Sequence, residues 1–174
     1  MDWYFTIFEL IDFRSFSNLW FWIMLAVFWS TASHFVLGVP YDMVTRVNRG
    51  GPDAEQAERD LEDITRINSN RLLYISKVAG YWPVGFGFFV LSALFTMGFF
   101  YHAEICQALF LLFLPMSIIL LLSVRRARLI QGKTGAELRK MLRRHRITIQ
   151  VLGMFSIFVT SMWGMHINMT AGVL

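Results

Sequence analysis

Four histidines are the residues best suited to chemistry in this chain, because a neutral imidazole ligates haem, chlorophyll-type pigments, copper and zinc. Their surroundings sort them. His34 falls inside an apolar run toward one end, His145 follows a basic stretch, and His102 and His166 close two other apolar runs. Around His34 the row Ala26, Ser30, His34, Gly38 advances in steps of four, which stacks three small residues and the imidazole on one helical stripe. Such a stripe allows close helix contact. His34 is therefore a candidate axial ligand to haem or bacteriochlorophyll, or a polar group bonded to a neighbouring helix.

A second cluster lies near the C-terminus, where Met162, Met165, His166 and Met169 share a face through spacings of three and four. Thioether and imidazole together suit Cu(I), and His102, Met97 and Cys106 are expected on the same side of the membrane. Methionine is also a routine filler of helix contacts, and the chain has 10 of them. The first expectation is no cofactor at all, with haem, bacteriochlorophyll and Cu(I) as the alternatives. Gln131-Gly132-Lys133-Thr134 has the ending of a phosphate loop, but Ala127 stands where the opening glycine belongs and no strand precedes it. The single cysteine, Cys106, forms no internal disulfide and cannot alone hold a structural zinc or an iron–sulfur cluster.

The elements that must position these residues are set by hydropathy. Of 174 residues, 56% are hydrophobic and 16% charged, with a mean hydropathy of +0.50. Seventeen phenylalanines and six tryptophans exceed what a small soluble core takes up, so lipid is the missing apolar phase. We read an all-α polytopic membrane protein, a single domain over 1–174 with four spans. They cover about 17–38, 78–101, 105–124 and 147–168, each near the roughly 20 residues needed to cross hydrocarbon. Residues 1–16 suit an interfacial helix, since Trp3, Ile7 and Leu10 recur at helical spacing in a segment too short to cross. The start lacks the basic residues of a secretory signal, so the first span is expected to be retained.

Charge then orients the spans. Loop 41–77 carries six Lys and Arg, loop 125–146 carries nine, and the turn between the second and third spans carries none. Basic loops belong on the cytoplasmic side, which places both termini outside. Within the first loop, Pro52 opens a helix on which Ala57, Leu61, Ile64 and Ile67 form an apolar face, the expected docking surface. In the second, Thr134 to Glu137 has capping-box spacing ahead of a short basic helix. Its Arg139, Lys140, Arg143, Arg144 and Arg146 suit anionic lipid headgroups or a topology anchor. A net charge of +4 distributed in this way argues for a membrane surface and against nucleic acid.

Further small residues recur on the fourth span, at Gly153, Ser156, Thr160 and Gly164, and on the second, at Gly85, Ser92 and Thr96, as in closely packed helices. No Asp, Glu, Lys or Arg sits deep in any span, where a proton-coupled transporter carries them. Nothing matches a hydrolase elbow, a zincin helix or a dinucleotide fingerprint. The expectation is a non-catalytic membrane subunit or assembly factor within a membrane complex or homo-oligomer. Cofactor binding and a small transporter are the alternatives.

The stretches IDFRSFSNLWFWIMLAVFWSTASHFVLGVPYDMV and DLEDITRINSNRLLYISKVAG resemble a family of small inner-membrane proteins of alphaproteobacteria, of the Rhodobacter and Roseobacter kind. Some members carry the label of a component of the SufBCD complex. The resemblance implies a multi-pass bacterial inner-membrane protein. For cluster assembly it implies at most a docking role, since a lone cysteine on the outer side cannot serve cytoplasmic chemistry.

Overall fold

The computed structural model describes residues 15–171, so the expected interfacial helix of the first segment lies outside the described residues, apart from a 3-10 turn at Ser15–Ser17. The fold is all-α. Helix α1 (Leu19–His34) opens with the Asn18 side chain accepting the Trp20 N–H, a standard N-cap. Its end departs from expectation. The span was expected to remain helical to Gly38, yet residues 35–40 form a tight hairpin of β1 (Phe35–Val36) and β2 (Val39–Pro40), with Val36 opposite Val39. Leu37 (φ 56°) and Gly38 (φ 73°) make the two-residue turn, whose positive φ values match hairpin twist. Pro40 holds the preceding residue extended and so opposes a helix here.

Helices α2 (Tyr41–Arg49) and α3 (Ala54–Ala79) follow, and α3 stops at Gly80 (φ 60°), so the loop helix does not run on into the next span. Helix α4 (Trp82–Phe95) carries Pro83 in its first turn, where the missing N–H costs nothing. It continues as a π turn at Thr96–Phe100. Helix α5 (Glu104–Ile130) keeps Pro115 inside it without breaking. Helix α6 (Gly135–Ala171) joins the expected basic helix and the fourth span into 37 unbroken residues, because no glycine or proline separates His145 from Ile147. Three helical stretches, Trp82–Phe100, Glu104–Ile130 and Gly135–Thr170, are long and apolar enough to cross a membrane, whereas α1 is shorter. This is a membrane protein by that measure.

Packing divides into an apolar bundle and a charged cap. In the bundle α1 lies antiparallel on α6. Trp29 covers Gly153, and Phe16 and Trp22 cover Gly164, so a Cβ at Gly153 would stand 2.6 Å from Trp29 Cε3. Ser156 and Thr160 are buried on the same row, which makes this stripe an internal seam. In the cap, Val36, Val39, Val44 and Val47 meet Ala57 and Leu61 of α3, Ala127 and Ile130 of α5, and Leu138 and Leu142 of α6. The amphipathic loop helix has therefore found its apolar partner within its own chain.

Candidate functional site

The most connected polar group in the bundle is Gln107, 3% exposed near the start of α5. Its Nε2 donates to the Gly98 carbonyl at 2.8 Å, and its Oε1 accepts the Trp163 indole N–H at 2.9 Å. One amide thus ties α4, α5 and α6. The π turn makes this reachable. Gly98 is buried there so tightly that a Cβ would lie 2.9 Å from the Gln107 backbone nitrogen. Phe95, Phe99, Phe110 and Trp163 pack around it with ring centroids 5.0–5.7 Å apart. Beside it Glu104 Oε1 accepts the Phe16 N–H at 2.7 Å, Trp22 Nε1 donates to the Phe16 carbonyl at 3.0 Å, and Ser17 Oγ donates to Asn168 Oδ1 at 2.7 Å. These bonds fasten the entry of α1 to the ends of α5 and α6.

The histidines disperse. His34 is exposed at the end of α1 with its ring edge-on to Phe35, and Ala26 and Ser30 of its row are exposed as well. Gly38 leaves that row for the hairpin turn. The stripe on α1 therefore faces outward, while the buried face of the helix is Phe21, Leu25 and Trp29. His102 sits exposed before α5 at φ 56°. His166 lies against the Trp163 ring at 5.6 Å, and Met162, Met165 and Met169 are exposed on the same helix. Among the described residues no group of three His, Cys, Asp or Glu side chains is placed to hold a metal ion.

His145 is the histidine the chain encloses. It lies in the charged turns of α6 that precede the apolar stretch, 1% exposed, with Nε2 3.2 Å from Ser123 Oγ. Burial, and after it the charge of Arg126, lowers its pKa from 6.5 to about 4. It acts as a packed neutral ring joining α5 to α6.

The expected docking face is largely spent. Ala57 and Leu61 are buried in the cap core and Ile64 is half-buried against it, so none of the three is available to a partner, and Ile67 alone remains 62% exposed. Amphipathic spacing demands a buried face without saying what covers it. The basic residues also divide. Arg139 pairs with Glu58 of α3, while Lys140, Arg143 and Arg144 are exposed. Arg146 lays its guanidinium over Tyr41, 3.7 Å from the ring centroid.

A cleft of about 320 Å³ between α3 and the α5–α6 turn is lined by Glu62, Asp63, Arg66 and Lys133. Its charges are engaged: Glu62 Oε1 accepts the Gly135 N–H at the start of α6, Asp63 pairs with Arg66, and Lys133 pairs with Glu137. Sequence reasoning missed Gln107, although a lone amide in the apolar run after Glu104 was the available signal, because it belongs to no stripe of small or polar residues at helical spacing. No protein-family model matches the chain, and neither a curated protein nor a solved structure matches it.

Proposed function

We propose that the chain is a non-catalytic subunit or assembly factor of a larger membrane complex, crossing a bacterial inner membrane four times with both termini outside. Two features support four spans. Helix α1 runs beside α6 from Gly164 to Ile149, along most of the expected fourth span. Its 16 residues rise about 24 Å, most of a hydrocarbon layer of about 30 Å. The fifteen Lys and Arg of the two cap loops, six and nine, support the orientation. The resemblance to small alphaproteobacterial proteins supports the choice of membrane.

The observation that carries the docking reading is a contrast between stripes. The small and polar row of α6, Gly153 to Gly164, is filled by Trp29, Phe16 and Trp22 of the same chain. The equivalent rows Ala26, Ser30, His34 on α1 and Gly85, Ser92, Thr96 on α4 are exposed. Hydroxyl and imidazole groups within an apolar layer gain from a neighbouring helix that supplies both hydrogen bonds and close contact. The interface consequently moves from the loop helix to the outer faces of α1 and α4. Mild solubilisation from native membranes followed by sizing and mass analysis tests this. A complex with a second membrane protein or a further copy of the chain is expected, and a lone monomer would overturn the reading.

A further inference from the structure

Helices α1 and α6 enclose a groove of about 380 Å³, open to the side, lined by Trp29, Ser33, Gln150, Gly153, Met154 and Ile157. Its polar residues are grouped rather than scattered. Gln150 and Ser33 are half-buried and neither makes a side-chain hydrogen bond among the described residues. Met154 and Ile157 continue the same face of α6 toward the middle of the bundle and are apolar. Gly153 lets the wall sit directly on the Trp29 ring.

Two buried donors, one in the groove wall and one beyond its lining residues, lack acceptors. Trp29 Nε1, in the groove wall, is buried and unpartnered, and so is Arg146 Nε, one helical turn before Gln150 on α6. The Arg146 guanidinium rests on Tyr41 and meets no carboxylate among the described residues. Arg143, a further turn back on that face, is exposed and forms no salt bridge among the described residues. From cytoplasmic end to middle the α6 face therefore reads guanidinium, amide, then apolar side chains, with the Ser33 hydroxyl opposite on α1 and about 6 Å between Arg146 and Gln150 along the helix. Along it the guanidinium, amide and hydroxyl donors lack partners among the described residues.

We infer that this groove is a binding site for one anionic phospholipid of the inner leaflet. Arg146 and Arg143 take the phosphodiester, Gln150 and Ser33 take the ester carbonyls, and an acyl chain lies along Met154 and Ile157. The order of groups fits because a phospholipid presents the same sequence of anion, acceptors and hydrocarbon over a comparable length. A planar guanidinium recognises a phosphate by paired donors. A free phosphate would use the first part of the groove and leave the rest empty. The inference rests on the four-span reading, which puts Gln150 just inside the cytoplasmic leaflet.

Full-length protein in mild detergent, examined by native mass spectrometry with added phosphatidylglycerol, phosphatidylcholine or inorganic phosphate, tests it. One retained phosphatidylglycerol per chain is expected, favoured roughly tenfold over phosphatidylcholine, with Arg146→Gln and Gln150→Leu each lowering retention about tenfold. Ser33→Leu, which fills the groove without removing charge, is expected to lower it as well, and size-exclusion profiles verify that each variant is folded. Equal retention of both lipids, retention unchanged in folded variants, or full displacement by millimolar phosphate would overturn the site. Lys133→Cys in a Cys106→Ser background, tested with an impermeant thiol reagent on intact cells, examines orientation separately. Labelling from outside would overturn the orientation while leaving the detergent measurement valid.

Discussion

Trp163 of α6 donates its indole N–H to Gln107 Oε1 of α5 at 2.9 Å, and the other end of that amide holds the Gly98 carbonyl of α4. A single buried side chain thus joins three helices whose remaining contacts at that level are aromatic. Replacing it with an apolar residue of similar size strands both an indole N–H and a backbone carbonyl. Gln107→Leu is expected to cost about 1–2 kcal/mol, on the scale of interhelical hydrogen bonds in membranes. A lowered thermal midpoint of the purified protein is the readout. An unchanged midpoint would remove Gln107 from its structural role.

Glycines on α6 and α4 are predicted to behave oppositely. At Gly153 a methyl group meets the rigid Trp29 ring at 2.6 Å, so Gly153→Ala forces the α1–α6 seam apart and costs about 1–3 kcal/mol. At Gly85 nothing lies within 4 Å, and Gly85→Ala is expected to be neutral or slightly stabilising within the isolated chain, since alanine favours the helix. Thermal unfolding of the two variants side by side decides the matter. Equal destabilisation would contradict the assignment of one internal and one outward stripe.

The cap makes a similar contrast on one helix. Leu61, 1% exposed among Ala127, Ile130 and Leu138, is expected to lose about 2–5 kcal/mol on conversion to alanine. Ile67, 62% exposed on the same helix, is expected to change stability little as alanine. Limited proteolysis of the 41–77 region reads this locally. If Ile67→Ala proved the more damaging, the loop helix would be facing the other way.

These contrasts show how much of the fold was legible from residues alone. Apolar runs between charged loops announced the long helices, and the three- and four-residue spacing of Gly153, Ser156, Thr160 and Gly164 announced a close seam. The row through His34 is likewise at helical spacing and points outward, because spacing defines a stripe without giving its direction. Ala57 and Leu61 showed that α3 must bury a face, but their partners, Ile130 and Leu138, lie some 70 residues on. The hairpin after His34 was hidden because Phe35-Val36-Leu37 reads equally as helix or strand, leaving Gly38 and Pro40 as the only punctuation. Gln107 was plain in the sequence, yet its two partners come from helices that only the fold brings together.

His145 gives the chain a defined response to acid. The folded protein holds the imidazole neutral until about pH 4, whereas the unfolded chain protonates near 6.5. Between those values unfolding takes up a proton, so this contribution to stability is complete above 6.5 and declines as pH falls toward 4. His145→Gln keeps a polar side chain beside Ser123 and removes the titration. The drop in thermal midpoint from pH 7 to pH 5 is therefore expected to be smaller in the variant than in the wild type. Equal drops would mean that His145 is already charged in the folded state.

The exposed face of α1 is the centre of the functional account, and site-specific photo-crosslinking in native membranes interrogates it most directly. A photoreactive residue at Ser30 is expected to form a discrete adduct with a second membrane protein or another copy of the chain, while the same group at Ser156, within the internal seam, is expected to react only within the chain. Lipid adducts alone at Ser30, or protein adducts from Ser156 and not from Ser30, would contradict docking through that face.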